Sequence, residues 1–117
     1  MKLVTAIVRT ELVDRVKEAL KQTDAGGATF TPTHGFGVQR GTEELYRGAE
    51  HVDDMHAKTE VRVLVADEQL PAVLGAIVYS ARTGEIGDGK VWVTPVEEAI
   101  RIRTGEEGAV AILRPTA

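Results

Sequence analysis

The chain has no cysteine among its 117 residues, which excludes disulfides, thiolate metal sites and cysteine nucleophiles together. Aromatic residues make up only 4% of it, too few for base-stacking platforms. It also lacks an excess of basic charge. The net charge of −4 and a pI near 5.4 disfavour general nucleic-acid binding, which needs a basic face. Serine is almost missing: Ser80 is the only one, it falls in a helical pattern, and no paired base accompanies it, so hydrolytic catalysis has little support. No apolar run approaches the roughly 18 residues of a membrane span. The N-terminal stretch Met1–Arg9 is too short, and lacks the cleavage-type end, for a signal peptide. The expectation is a soluble cytoplasmic protein with no direct membrane insertion.

What is present is an ordinary globular balance, 43% hydrophobic and 27% charged, in a length that suits one domain, residues 1–117. Leu3 to Val8 reads as a buried strand. From Glu11 to Gln22, Val13, Val16 and Leu20 recur at helical spacing, and Asp24-Ala25-Gly26-Gly27 stops that helix. Thr29 to His34 reads as a strand, with Pro32 arguing for an edge position or a bulge. Val61, Val63 and Val65 alternate with Glu60 and Arg62, as in a strand with one buried face. Leu70, Val73, Leu74, Ile77, Val78 and Ala81 form the strongest helical pattern. Val91-Trp92-Val93 is a short strand, and Thr94-Pro95-Val96-Glu97 resembles a capped helix start that predicts a brief helix ending near Ile100.

Two β-α-β units in this order predict an α+β, ferredoxin-like β-α-β-β-α-β sandwich with helices on one sheet face. The other face needs a cover, and a homo-oligomer is the simplest one. The polar stretch from Gly37 to about Met55 exceeds the roughly 12–15 residues of most structureless loops, which marks it as functional.

Chemistry concentrates at three places. Thr83-Gly84-Glu85-Ile86-Gly87-Asp88-Gly89-Lys90 has glycines that can aim backbone N–H groups at one anion, with Lys90 adding charge. It fails the P-loop pattern, because Val91 replaces the hydroxyl residue and the order is helix-loop-strand. An ordinary glycine-rich turn is the alternative. Arg101 and Arg103, on one side of an extended segment, offer two guanidinium forks for phosphate, against a solvated strand paired with Glu97, Glu98 or Glu106. Gly35-Phe36-Gly37 and Gly41 form the loop root, where Gln39 offers an oxygen to a hard cation and Lys58 a positive charge. His34, His51 and His56 with Asp53 and Asp54 sketch a metal site, against exposed loop histidines.

Gly35-Phe36-Gly37, Glu44-Leu45-Tyr46-Arg47-Gly48-Ala49-Glu50, Ala81-Arg82-Thr83-Gly84 with Gly87-Asp88-Gly89-Lys90, and Arg101-Ile102-Arg103-Thr104-Gly105-Glu106 together resemble the PII nitrogen-regulatory signal-transduction family, from Met1 to about Gly108. The resemblance implies a ferredoxin-like homotrimer with sheets facing inward, a T-loop at about 37–55, a B-loop at 82–90 and a C-loop at about 97–117. It implies ATP or ADP bound between subunits by Ile7, Thr29, Gly35, Gly37, Gly87, Asp88, Gly89, Lys90, Arg101 and Arg103. Gln39 resembles the residue that helps hold Mg²⁺ on ATP, and Arg9, Gln39, Gly41 and Lys58 resemble the surroundings of 2-oxoglutarate. Tyr46, Arg47 and His51 fall on the partner loop, where Arg47 resembles the arginine that members insert into ammonium-transporter pores. The implied function is a non-enzymatic trimeric sensor of ATP/ADP and 2-oxoglutarate, although slow ATP hydrolysis fits the same site. A sensor of ADP, AMP or another metabolite without a 2-oxoglutarate response stays open, as does a divergent metal-binding protein. The chain departs from the family pattern at Arg9-Thr10-Glu11, His34, Val38, Glu43 and Met55-His56-Ala57, and His51 stands where many members carry a modified tyrosine.

Overall fold

The structure is a computed structural model and describes residues 1–37 and 55–115. Strand β1 (Lys2–Arg9) leads through a 3-10 turn at Thr10–Leu12 into helix α1 (Val13–Lys21). Strands β2 (Thr29–Gly35) and β3 (His56–Val65) follow. A second 3-10 turn at Asp67–Gln69 opens helix α2 (Leu70–Ala81), and β4 (Lys90–Pro95) and the one-turn helix α3 (Ala109–Ile112) complete the chain. The sheet has the order β2-β3-β1-β4, and every neighbouring pair is antiparallel. With α1 and α2 side by side against one face, this is the expected α+β ferredoxin-like architecture.

Period two in the strands decides which face is covered. Val4, Ala6 and Val8 of β1 and Val61, Val63 and Val65 of β3 meet Val16, Leu20, Val73 and Ile77 of the helices in one core. Each fully buried valine contributes roughly 1.5–3 kcal/mol through removal of apolar surface from water. Ser80 is buried among them because its hydroxyl donates to the Ala76 carbonyl at 2.6 Å, so it is structural rather than catalytic. Pro32 lies in edge strand β2, where a missing N–H costs no ladder bond. Gln69 joins the two helices' ends: its Oε1 accepts from Ala66 N at 2.8 Å and its Nε2 donates to the Asp24 carbonyl at 2.9 Å.

The opposite sheet face is open. Leu64 and Trp92 are exposed there, in register with Leu3 and Thr5 of the strand between them.

Two expectations fail. No helix runs from Thr94 to Ile100, because Thr94 and Pro95 remain in β4, paired with Leu3 and Lys2, and Val96 N continues to the Met1 carbonyl at 3.1 Å. Sheet pairing outweighs the capping signal, and Pro95 is tolerated because β4 is an edge. Arg101 and Arg103 do not lie on an extended segment either. Residues 101–106 form a tight turn in which Gly105 N donates to the Arg101 carbonyl at 2.7 Å and Arg101 N to the Glu106 carbonyl at 2.8 Å. Helix α3 has no counterpart in the sequence reading, since four small and apolar residues carry no periodicity.

Candidate functional site

The loop between α2 and β4, residues 82–89, is built around one carboxylate. Asp88 accepts from the Thr83 backbone N–H at 2.8 Å, the Thr83 hydroxyl at 2.5 Å, the Gly84 N–H at 2.9 Å and Arg9 Nε at 3.1 Å. The Thr83 bonds, followed by those from Gly84 and Arg9, hold its pKa well below the ordinary carboxylate range. Arg9 also donates from Nη2 to the Ile86 carbonyl at 2.9 Å, and Lys58 Nζ donates to the Gly87 carbonyl at 2.5 Å. Two cations on neighbouring strands therefore fasten the loop to the sheet's end, since Arg9 and Lys58 are register partners.

This arrangement changes the anion-nest expectation. The N–H groups of Thr83 and Gly84 already hold an internal anion, the Asp88 side chain. The Gly87 and Gly89 amides make no backbone hydrogen bond among the described residues. Lys90 forms no ion pair among them either. The half of the loop that remains available to an outside anion is thus 87–90. Its backbone depends on glycine: Gly89 has φ +89°, and a Cβ there would stand 1.8 Å from the Ile7 carbonyl oxygen.

The loop forms one wall of an open cleft of about 1030 Å³. Of the residues singled out from the sequence, Ile7, Arg9, Gly35, Gly37, Lys58, Gly87, Asp88, Gly89 and Lys90 all line it. His34 and His56 also line it, with Glu11, Phe36 and Glu85. Thr29 and Arg101 are elsewhere. They line a second cleft of about 680 Å³ with Leu3, Gly26, Gly27, Arg62, Leu64 and the α3 segment. Arg103 lines neither and is exposed in the turn. Arg101 and Lys90 line different clefts and Arg103 lines neither, so one chain does not assemble these three cations into a single phosphate site. Gln39, Gly41, Tyr46, Arg47 and His51 lie outside the described residues, as do Asp53 and Asp54. Among the described residues no group of three His, Asp or Glu is placed to hold a metal ion. No helix among them is long and apolar enough to cross a membrane.

The family model for "Nitrogen regulatory protein P-II" matches residues 1–106. The chain belongs to the PII family. It is similar to the nitrogen regulatory protein P-II of Rhizobium meliloti (strain 1021), at 53% identity over 112 residues that cover 96% of this chain and 100% of that protein. Those of Azospirillum brasilense and Cereibacter sphaeroides are 49% and 47% identical with the same coverage. Membership places this PII chain in a signal-transducing role in nitrogen regulation, and these relatives are named as regulators rather than enzymes.

Three residues at these clefts, Thr83, Arg62 and Leu64, carry no site role in the sequence reading. Thr83 is the main partner of Asp88, and a Thr-Gly pair a few residues before an aspartate in a glycine-rich loop is a readable turn signal. Arg62 and Leu64 share the second cleft with Thr29 because β2 and β3 pair with Thr29 opposite Arg62. That register depends on tertiary pairing, and no single-strand pattern contains it.

Proposed function

We propose that three copies of this chain assemble into a sensor of adenine nucleotides, and that each nucleotide site forms where the first cleft of one subunit meets the second cleft of its neighbour. What supports this is the division of the expected ligand-binding residues between the two clefts, with Leu64 and Trp92 exposed on the sheet face that the helices do not cover. Lys90 and the unused amides of Gly87 and Gly89 suit phosphate oxygens from one side. Arg101 and Arg103 approach from the neighbour, and Thr29 meets the nucleoside.

Mg²⁺ on ATP, held with help from Gln39, would supply the charge that recruits a 2-oxoglutarate carboxylate toward Lys58 and Arg9. These two cations already reach into the first cleft, which fits them to that role. Binding of ATP and 2-oxoglutarate is then cooperative, because each completes the other's site. ADP lacks the γ-phosphate and leaves the 37–55 loop in a different ensemble. That loop carries the output to a regulated partner, an ammonium transporter being one class that Arg47 fits.

Calorimetry of ATP, ADP and AMP, each with and without Mg²⁺ and 2-oxoglutarate, tests the reading. The expected result is 2-oxoglutarate binding only with Mg²⁺-ATP, and light scattering is expected to give a trimer of the 12.6 kDa chain. Equal 2-oxoglutarate binding to the nucleotide-free protein overturns the coupled site, and a stable monomer overturns the shared cleft.

A second outcome concerns modification. His51 has no phenolic oxygen to attack a nucleotide α-phosphate, so switching is by effectors alone. Intact-mass spectrometry of protein from nitrogen-starved native cells is expected to show no nucleotidyl adduct, and a stoichiometric adduct on Tyr46 contradicts this.

A further inference from the structure

We propose that the C-terminal arm, residues 108–115, is a latch that competes with phosphate for Arg101, and that Arg114 holds it closed. The latch rests on the reading of Arg101 as a phosphate contact and adds a control on it. Arg114 lies beyond residue 106, where the match to the family model ends.

Three of the five N–H donors of Arg101 have partners, including both on Nη2. Its side chain is 16% exposed, and Nη1 pairs with Glu106 Oε1 at 3.0 Å. Nη2 donates to the Val110 carbonyl at 2.9 Å and to the Leu113 carbonyl at 2.7 Å. A guanidinium grips a phosphate bidentately through Nη1 with Nη2, or through Nε with Nη2. Both modes need an Nη2 hydrogen, and the arm uses both. The closed arm therefore leaves Arg101 only single bonds to offer.

Two features hold the arm shut. Arg114 donates from Nε to the Ala25 carbonyl at 3.0 Å, and from Nη2 to the carbonyls of Thr23 at 2.6 Å and Lys21 at 3.2 Å. These acceptors cluster at the C-terminal end of α1, where unpaired carbonyls and the helix dipole favour a cation. Ile112 is buried, and its carbonyl oxygen lies 2.4 Å from where a Cβ on Gly26 would stand. The missing side chain at Gly26 is a condition of closure.

Opening the arm releases Nη2 and strengthens phosphate binding. By reciprocity ATP must open the arm by the same factor. The two features suggest two independent ways to open it, Arg114→Ala and Gly26→Ala, tested in the full-length protein. The arm is followed by hydrogen exchange at the Ala111 amide, which donates to the Gly108 carbonyl at 2.9 Å, and ATP affinity by calorimetry. Both variants are expected to speed Ala111 exchange and tighten ATP roughly five- to fiftyfold, within the usual range of coupling between sites. Arg114→Lys retains part of the hold and falls between them and the wild type. In an Arg101→Ala background the gain from Arg114→Ala disappears. Unchanged or weaker ATP binding in both variants, with Ala111 exchange raised, overturns the latch while leaving the nucleotide reading intact. ATP binding to none of these proteins overturns the nucleotide reading, and the latch's role with it.

Discussion

Gly89→Ala is expected to destabilise the chain by about 3 kcal/mol or more and to abolish adenine-nucleotide binding. Two causes act together. At φ +89° an L side chain is strained, and the added methyl group would stand 1.8 Å from a backbone oxygen of Ile7, which has no rotamer through which to escape. Relief requires β1 and β4 to part where Ile7 pairs with Lys90, at the point that aims Lys90 into the cleft. Gly84→Ala is the control. It shares a positive φ of +89°, yet a Cβ there meets nothing within 4 Å, so only the conformational strain of about 1–3 kcal/mol remains. Chemical denaturation and calorimetry with ATP check the pair. Equal stability losses in the two variants would show that the Ile7 contact relaxes at little cost.

Asp88→Asn has the second large effect, directed at the loop rather than the core. The amide keeps the size but loses the charge that Arg9, Thr83 and Gly84 converge on, and its NH₂ end faces donors. Exchange of the Thr83 and Gly84 amides is expected to rise on the order of tenfold, with ATP weakened because Gly87 and Gly89 lose their fixed positions.

The same carboxylate predicts a pH dependence. Its folded pKa lies below its ordinary value of 3.8. Above that value both the closed and open loop are ionised and stability is independent of pH. Below it the open loop takes up a proton while the closed loop does not, so the loop loosens as pH falls from about 3.8 toward the depressed folded value. Amide exchange at Thr83, corrected for intrinsic rates, should show this acid-side loosening in the wild type and not in Asp88→Asn. A wild-type loop indifferent to acid would mean that Asp88 does not organise it.

The sequence by itself determined the order of the strands and the two long helices along the chain, the choice of an edge position or a bulge at Pro32, and the glycine-dependent turn at 82–89. These are local matters: period two in Val61-Arg62-Val63-Leu64-Val65, period 3.6 in α2, and the backbone freedom of glycine report on a residue's own neighbourhood. The cations were legible as charges, and the family resemblance named most of the cleft. Tertiary structure alone decided how they are spent. Thr94-Pro95-Val96-Glu97 carries a sound helix-start signal, but pairing with Lys2 and Leu3, more than ninety positions away, keeps its first half in the sheet. Arg101 and Arg103 read as a phosphate fork, yet the turn at 101–106 and the arm give Arg101 three internal partners. Asp88 read as a phosphate-loop residue, but it is the loop's own anion, held chiefly by Thr83 and Gly84 a few positions earlier, and folding adds Arg9 from β1, 79 positions away. A side chain's type is written at its own position, but which hydrogen-bond partners it takes, near or far along the chain, is decided by how the backbone turns and packs.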